Sequence, residues 1–260
     1  MELAIDTVGT TSSVAISDEG QPVAEITWPS GRRHTPTLVP MIDAVCDNAH
    51  VERTDLAAVF VDLGPGAYGG IRAGMAAAAG LASALDIPTV GINRLEIESY
   101  AHAAASGSAA TGPIVALHNA GRGQLAVAAY LGPAAHWREE TAPTLMTPVR
   151  LADFLREFRD VGVLCGELDR LGAAGVDHLS HLGWTLAGPA ASMRRATLLA
   201  ELAWRVWQQG QVRQQRMAGQ APTQDSSPGP LEPLYMRDPA IGPQSPIVEE
   251  PFPLHDGAAG

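Results

Sequence analysis

Lysine is absent from this 260-residue chain: all 17 basic residues are arginine. A Schiff-base lysine and the phosphate-gripping lysine of a P-loop are thereby excluded. Cysteine is scarce. Cys46 and Cys165 are the only two, both in apolar settings, which suits buried reduced thiols better than a disulfide. Positive charge is outnumbered by 28 acids. The net charge of −11 argues against unaided binding to a phosphate backbone, where clustered cations supply most of the affinity. Work on nucleic acid through a basic partner stays open. No apolar run approaches the roughly 20 residues of a spanning helix. The opening MELAIDTV carries Glu2 and Asp6 and does not read as a signal peptide. A cytoplasmic protein with no membrane partner is expected.

What is present is ordinary for a globular chain: 46% hydrophobic and 17% charged residues, with length for one large domain or two small ones. Residues 2–6 and 13–17 read as strands around the turn TVGTTS, and 22–28 as a third strand after the hairpin signal DEG. From 35 to 49, Leu38, Ile42, Val45 and Ala49 fall at helical spacing. LAAVFVDL (56–63) is a continuous apolar run, as in a buried central strand. A helix over 71–85, a strand over 88–92 and a helix over 94–105 follow.

The order of elements then begins again, with strands near 113–118, 124–130 and 135–140, a helix over 149–159 and a strand over 161–165. A last helix over 190–208 carries Leu198, Leu199, Leu202 and Val206 as its apolar stripe, with Trp204 and Trp207 read as packing residues. Three antiparallel strands, helix, strand, helix, strand, given twice, describes two ribonuclease-H-like lobes. This is the actin-like (ASKHA) α/β plan, each lobe a mixed sheet with helices. We expect lobes over 1–106 and 107–208, a flexible linker over 209–230, a docking segment LEPLYMR over 231–237 and a loose tail over 238–260.

Gly64, Gly66 and Gly69 match G-x-G-x-x-G between a strand and a helix, the dinucleotide fingerprint in its local setting. Against that reading, about 60 structured residues precede the pattern, and Asp86 starts the next strand where a ribose-binding acid should end it. We take the three glycines as a structural turn. The helix after it, IRAGMAAAAGLASAL, has no charge between Arg72 and Asp86. A surface helix should show a polar face, so both of its faces are expected to be covered, one by the sheet and one by another protein. Gly74, Ala77, Ala78 and Leu81 share one face, with Met75 on the next.

These residues resemble a known family. LAIDTVGTTSSVAI, HTPTLVPMID, GPGAYGGIRAGMAAAAGLASALDIPTVGI and LEPLYMR are similar to the motifs of the bacterial TsaB (YeaZ) family. The likeness is nearly continuous over 3–100, faint over 113–130, and returns at 231–237. It departs at Ala67 and Gly70 in the long motif, and at Asn119, Gln124 and Ala126 in the second lobe. The resemblance implies a non-catalytic scaffold subunit that pairs with the catalytic paralogue TsaD and works with the ATPase TsaE. The set makes N6-threonylcarbamoyladenosine at position 37 of tRNA, which this chain would meet only through the complex. It further implies pairing through the first two helices, here Leu38, Ile42, Val45, Arg72, Gly74, Met75, Ala78 and Leu81, and self-pairing of the chain when alone. No cofactor or metal is implied for this chain.

Asp6, Thr10 and Thr11 stand where actin-like enzymes grip phosphate and metal with a hairpin turn; we read a vestigial turn, since NAGRG (119–123) offers no second carboxylate. His178 and His181 could bind zinc from a helix, but no third ligand is apparent and DHLSH reads as a solvated segment. Ser12 and Ser13 lack a nucleophile elbow. The alternatives carried forward are an ATP-dependent kinase or transferase of the actin-like group and, less favoured, a nicotinamide oxidoreductase.

Overall fold

The computed structural model describes residues 1–30, 34–106, 112–188, 192–218 and 231–236. The expected tail, most of the linker and Arg237 of the docking segment lie outside them.

The described residues form two compact units, Met1–Ile97 with residues from Arg194 to Tyr235, and Glu98–Met193. In the first unit, strands β1 (Glu2–Asp6), β2 (Thr11–Asp18), β3 (Gln21–Pro29), β4 (Ala58–Asp62) and β5 (Thr89–Ile92) make one sheet in the order β3-β2-β1-β4-β5. The first three strands pair antiparallel, while β1, β4 and β5 run parallel. Helices α1 (His34–Ala49) and α2 (Tyr68–Leu85) connect them. Alternation along the strands sends Leu3, Ile5, Val14, Ile16, Val59 and Val61 into one core with Leu38, Ile42, Val45, Ala78 and Ala82 of the two helices. Phe60 points to the other face and meets Trp207 edge-on at 6.3 Å.

Helix α3 (Arg94–Ser106) carries the chain into the second unit. There β6 (Ile114–Gly121), β7 (Gln124–Leu131), β8 (Arg138–Met146), β9 (Val163–Gly166) and β10 (Thr185–Leu186) repeat the same plan in the order β8-β7-β6-β9-β10. Helices α4 (Pro148–Arg156) and α5 (Gly172–His181) cover a core of Val115, Leu117, Leu125, Leu151, Leu164 and Trp184. The fold class is therefore the actin-like pair of ribonuclease-H-like sheets. His178 and His181 lie on α5, a regular helix whose Leu179 is buried, and not on a wholly solvated stretch.

The expected lobe boundary needs correction. The last helix, α6 (Ala196–Ala218), belongs to the first unit and packs on β1, β2 and β3, not on the lobe that precedes it in sequence. An amphipathic stripe says that a face is buried but not against which sheet. The buried positions are Leu199, Ala200, Leu202 and Ala203, whereas Val206 is 41% exposed. Trp204 seats against Gly20, whose positive φ of 76° and lack of a Cβ give the indole room. Glu25 on β3 accepts hydrogen bonds from the Thr197 N–H (3.1 Å) and Oγ1 (2.6 Å), placing a carboxylate on the first turn of α6. Residues 209–218 are helical and so are not linker.

Candidate functional site

The glycine stretch follows β4 because two turns must touch. Gly64 has φ 91°, a conformation that favours glycine. A Cβ on Gly66 would overlap the Val8 carbonyl, which accepts the Ala67 N–H at 2.8 Å. Gly74, one turn into α2, lies over Thr7, whose hydroxyl donates to the Gly70 carbonyl at 2.6 Å. Open space surrounds Gly69, so sterics do not require glycine there. Asp86 ends α2 in the left-handed region, exposed to solvent. The stretch thus joins the β4–α2 turn to the β1–β2 turn instead of cradling a pyrophosphate.

The β1–β2 turn holds a compact charge cluster. Asp6 ends β1 and Asp62 ends β4, and both are buried. Asp6 Oδ1 accepts the Val8 N–H at 3.2 Å, and Asp62 Oδ1 accepts the Gly64 N–H at 2.8 Å. Arg194, just before α6, donates from Nε to Asp6 Oδ2 at 3.0 Å and stands 3.9 Å from Asp62 Oδ2. Its guanidinium lies against Gly9, where a Cβ would overlap it. Burial, then repulsion from Asp6, pushes the Asp62 carboxyl well above the usual range, against the pull of Arg194, the Gly64 N–H and Arg94. Thr10 is exposed and Thr11 half-buried, with the Thr10 carbonyl accepting the Ser30 N–H at 2.8 Å.

A metal–nucleotide gripped here, as actin-like enzymes grip it, needs carboxylates open to a cation. These two are buried and face an arginine of the same chain, so the residues present do not fit that group. Asp62 was legible as the one charge in an apolar run; Arg194, 188 residues from Asp6, was not.

In the second unit the equivalent strand end does supply an acid. Glu167, directly after β9, accepts the Asn119 N–H at 3.0 Å and pairs with His118 Nδ1 at 3.0 Å. The expectation of no carboxylate beside NAGRG is thus corrected: it arrives from the parallel neighbour of β6, 48 residues on. Its signal was an acid after a short apolar strand, as in Asp62. Among the described residues no group of three or more His, Cys, Asp or Glu is placed to hold a metal. Cys46 and Cys165 are free and buried.

The eight residues expected to face a partner are mostly turned inward. Leu38, Ile42, Val45 and Ala78 are core residues, and Gly74 is buried over Thr7. Met75 and Leu81 are partly buried against the same core. Only Arg72 is exposed, its guanidinium 3.9 Å over the Tyr68 ring. The reason is that small residues on every side of α2 leave its inward direction unmarked, and the sheet with α1 takes the Gly74–Ala78–Ala82 side. The opposite side, Gly69, Arg72, Ala76, Ala79, Gly80 and Ser83, is exposed. Among the described residues, no heavy atom beyond the adjoining helix backbone stands within 4 Å of where a Cβ would sit on Gly69 or Gly80. Beside it, Tyr235 packs on Tyr68 at 5.1 Å and the Leu234 N–H donates to the Leu63 carbonyl at 2.9 Å.

Comparison with known proteins places these features. A family model described as TsaD, tRNA N6-adenosine threonylcarbamoyltransferase, matches residues 28–154. The tRNA threonylcarbamoyladenosine biosynthesis protein TsaB of Bacillus subtilis is 32% identical over 128 residues, 49% of this chain and 54% of that one. Its namesake from Escherichia coli is 33% identical over 93 residues, covering 36% and 40%. A tRNA N6-adenosine threonylcarbamoyltransferase of Nitratidesulfovibrio vulgaris is 42% identical over 78 residues, 30% of this chain and 20% of that one. The chain thus spans about half, or less, of the length of these relatives. In structure, YeaZ from Pseudomonas aeruginosa superposes with a TM-score of 0.65 at 22% identity, covering 81% of this chain and 93% of that one, a likeness of fold.

Proposed function

We propose that this chain, similar to the TsaB proteins and read as a member of the TsaB/YeaZ family, is a non-catalytic subunit in threonylcarbamoyladenosine synthesis on tRNA. It holds a TsaD-like catalytic subunit in its working shape, with a TsaE-like ATPase as further partner, and meets tRNA only through the complex.

The observation that carries the reading is the outward side of α2. Gly69, Arg72, Ala76, Ala79, Gly80 and Ser83 form a narrow exposed strip with one charge in it. Small side chains let a second helix approach closely, and an unroofed apolar strip gains by being covered. On α1, Pro36, Val39 and Pro40 are exposed as well, Val39 to 51%. The segment matched by the TsaD model, 28–154, includes both helices. Two related chains that share a helix pair can meet through like faces, as the halves of a two-fold dimer do. A self-contained kinase is disfavoured because the first unit commits its acids to Arg194.

The test is co-elution with the TsaD-like subunit of the same organism on gel filtration. Wild type is expected to form a complex, and Ala79→Glu, a charge set in the strip, to lose it while remaining folded. Retention of the complex by Ala79→Glu overturns the assignment of the strip. Phosphoryl transfer from ATP by the isolated chain overturns the non-catalytic reading.

A further inference from the structure

The charge cluster at the β1–β2 turn lies apart from the α2 strip and is chemically unusual. Two carboxylates that end adjacent parallel strands are both buried, and both lie within 4 Å of a single nitrogen, Arg194 Nε. Buried carboxylates persist only when hydrogen-bonded and compensated by opposite charge. Here compensation is incomplete. Asp62 Oδ2 is buried and accepts no hydrogen bond from the described residues, and Arg194 Nε stands 3.9 Å away, beyond hydrogen-bonding range. That oxygen stands beside a second carboxylate at the mouth of a hairpin turn.

We infer that Arg194 is a tethered counter-cation which occupies a latent divalent-metal site, and that truncating its side chain opens Asp6 and Asp62 to a divalent ion. Three observations support this assignment. The guanidinium presses on Gly9, where any Cβ would overlap it, so it fills the concave side of the turn. The segment that carries it is fixed from behind, because α6 packs on the first sheet and Glu25 holds its first turn. Oxygen donors from two strand ends, with water, form the hard ligand set that Mg²⁺ and Mn²⁺ take. A guanidinium supplies a single positive charge, which balances one carboxylate of two.

The experiment uses the full chain, Mn²⁺ as the probe, and two readouts: calorimetric titration and the shift of the melting temperature in MnCl₂. Wild type is expected to show neither specific Mn²⁺ binding nor a shift, with or without ADP. Arg194→Ala is expected to bind about one Mn²⁺ at least tenfold more tightly than wild type, and to melt higher in its presence. The double variant Arg194→Ala/Asp62→Asn, which replaces one of the two carboxyl ligands with a neutral amide, should fold and lose that response. This also separates the site from scattered binding to an acidic surface. If Arg194→Ala does not fold in EDTA, recovery on refolding with Mn²⁺ is the readout, and no rescue overturns the proposal. So does an equal Mn²⁺ response in wild type, or one that survives Asp62→Asn.

Discussion

Two adjacent alanines of α2 separate the buried side of that helix from its free side. Ala78 is fully buried between the sheet and α1, and Ala79, one residue on, is exposed. In Ala78→Glu a carboxyl enters an apolar core cluster. Holding that carboxyl neutral at pH 7, against an ordinary value near 4.3, costs about 4 kcal/mol. Crowding four extra heavy atoms into a close-packed core adds about 1–3 kcal/mol. The sum, roughly 5–7 kcal/mol, is comparable with the whole stability of many domains, about 5–15 kcal/mol. With a urea slope near 3 kcal/mol per molar, the midpoint of the first unit falls by about 2 M or is lost. Ala79→Glu places the same group in water and should stay within about 0.5 kcal/mol of wild type. Urea titration followed by far-UV circular dichroism distinguishes the two. Equal damage by both variants would mean that the outward strip is covered, and the reasoning would fail.

Other outcomes follow from contacts in the same unit. Gly74→Ala sets a methyl against the Thr7 hydroxyl and breaks its bond to the Gly70 carbonyl, so it should cost about 1–3 kcal/mol in the same titration. Little or no loss would show that the turn can retreat. Asp62 is an acid held above its ordinary range in the folded state, so the folded chain keeps a proton that the unfolded chain has released. Stability from this group is then highest near pH 4 and declines as pH rises towards the raised value. Asp62→Asn keeps the Oδ1 acceptor for the Gly64 N–H and removes that decline. Its melting temperature should match wild type near pH 4 and exceed it at pH 8. A variant less stable than wild type at pH 8 would refute the sign.

Much of the fold was legible because it is written in local pattern. ELAID, SVAIS and PVAEITW alternate around turn residues, and the succession of elements repeats, so two sheets of one kind followed before any contact was known. Two things were not legible, for physical reasons. Helix α2 is small on every side, so burial of Gly74, Ala78 and Ala82 and exposure of Ala76, Ala79 and Gly80 leave no trace in hydrophobic period. The stripe of α6 announces a buried face without naming the sheet beneath it, and that uncertainty also hid Arg194, which reaches Asp6 only because α6 returns to the first unit. The two acids were better marked: Asp62 and Glu167 each follow a short apolar run at the end of a parallel strand.

The central claim is that another protein covers the outward strip of α2. Amide hydrogen exchange, read by mass spectrometry with and without the TsaD-like subunit, tests it most directly. The account predicts slower exchange across residues 68–85 when the partner is added, and no change across 163–186 in the second unit. Unchanged exchange over 68–85 in a complex that demonstrably forms would contradict it.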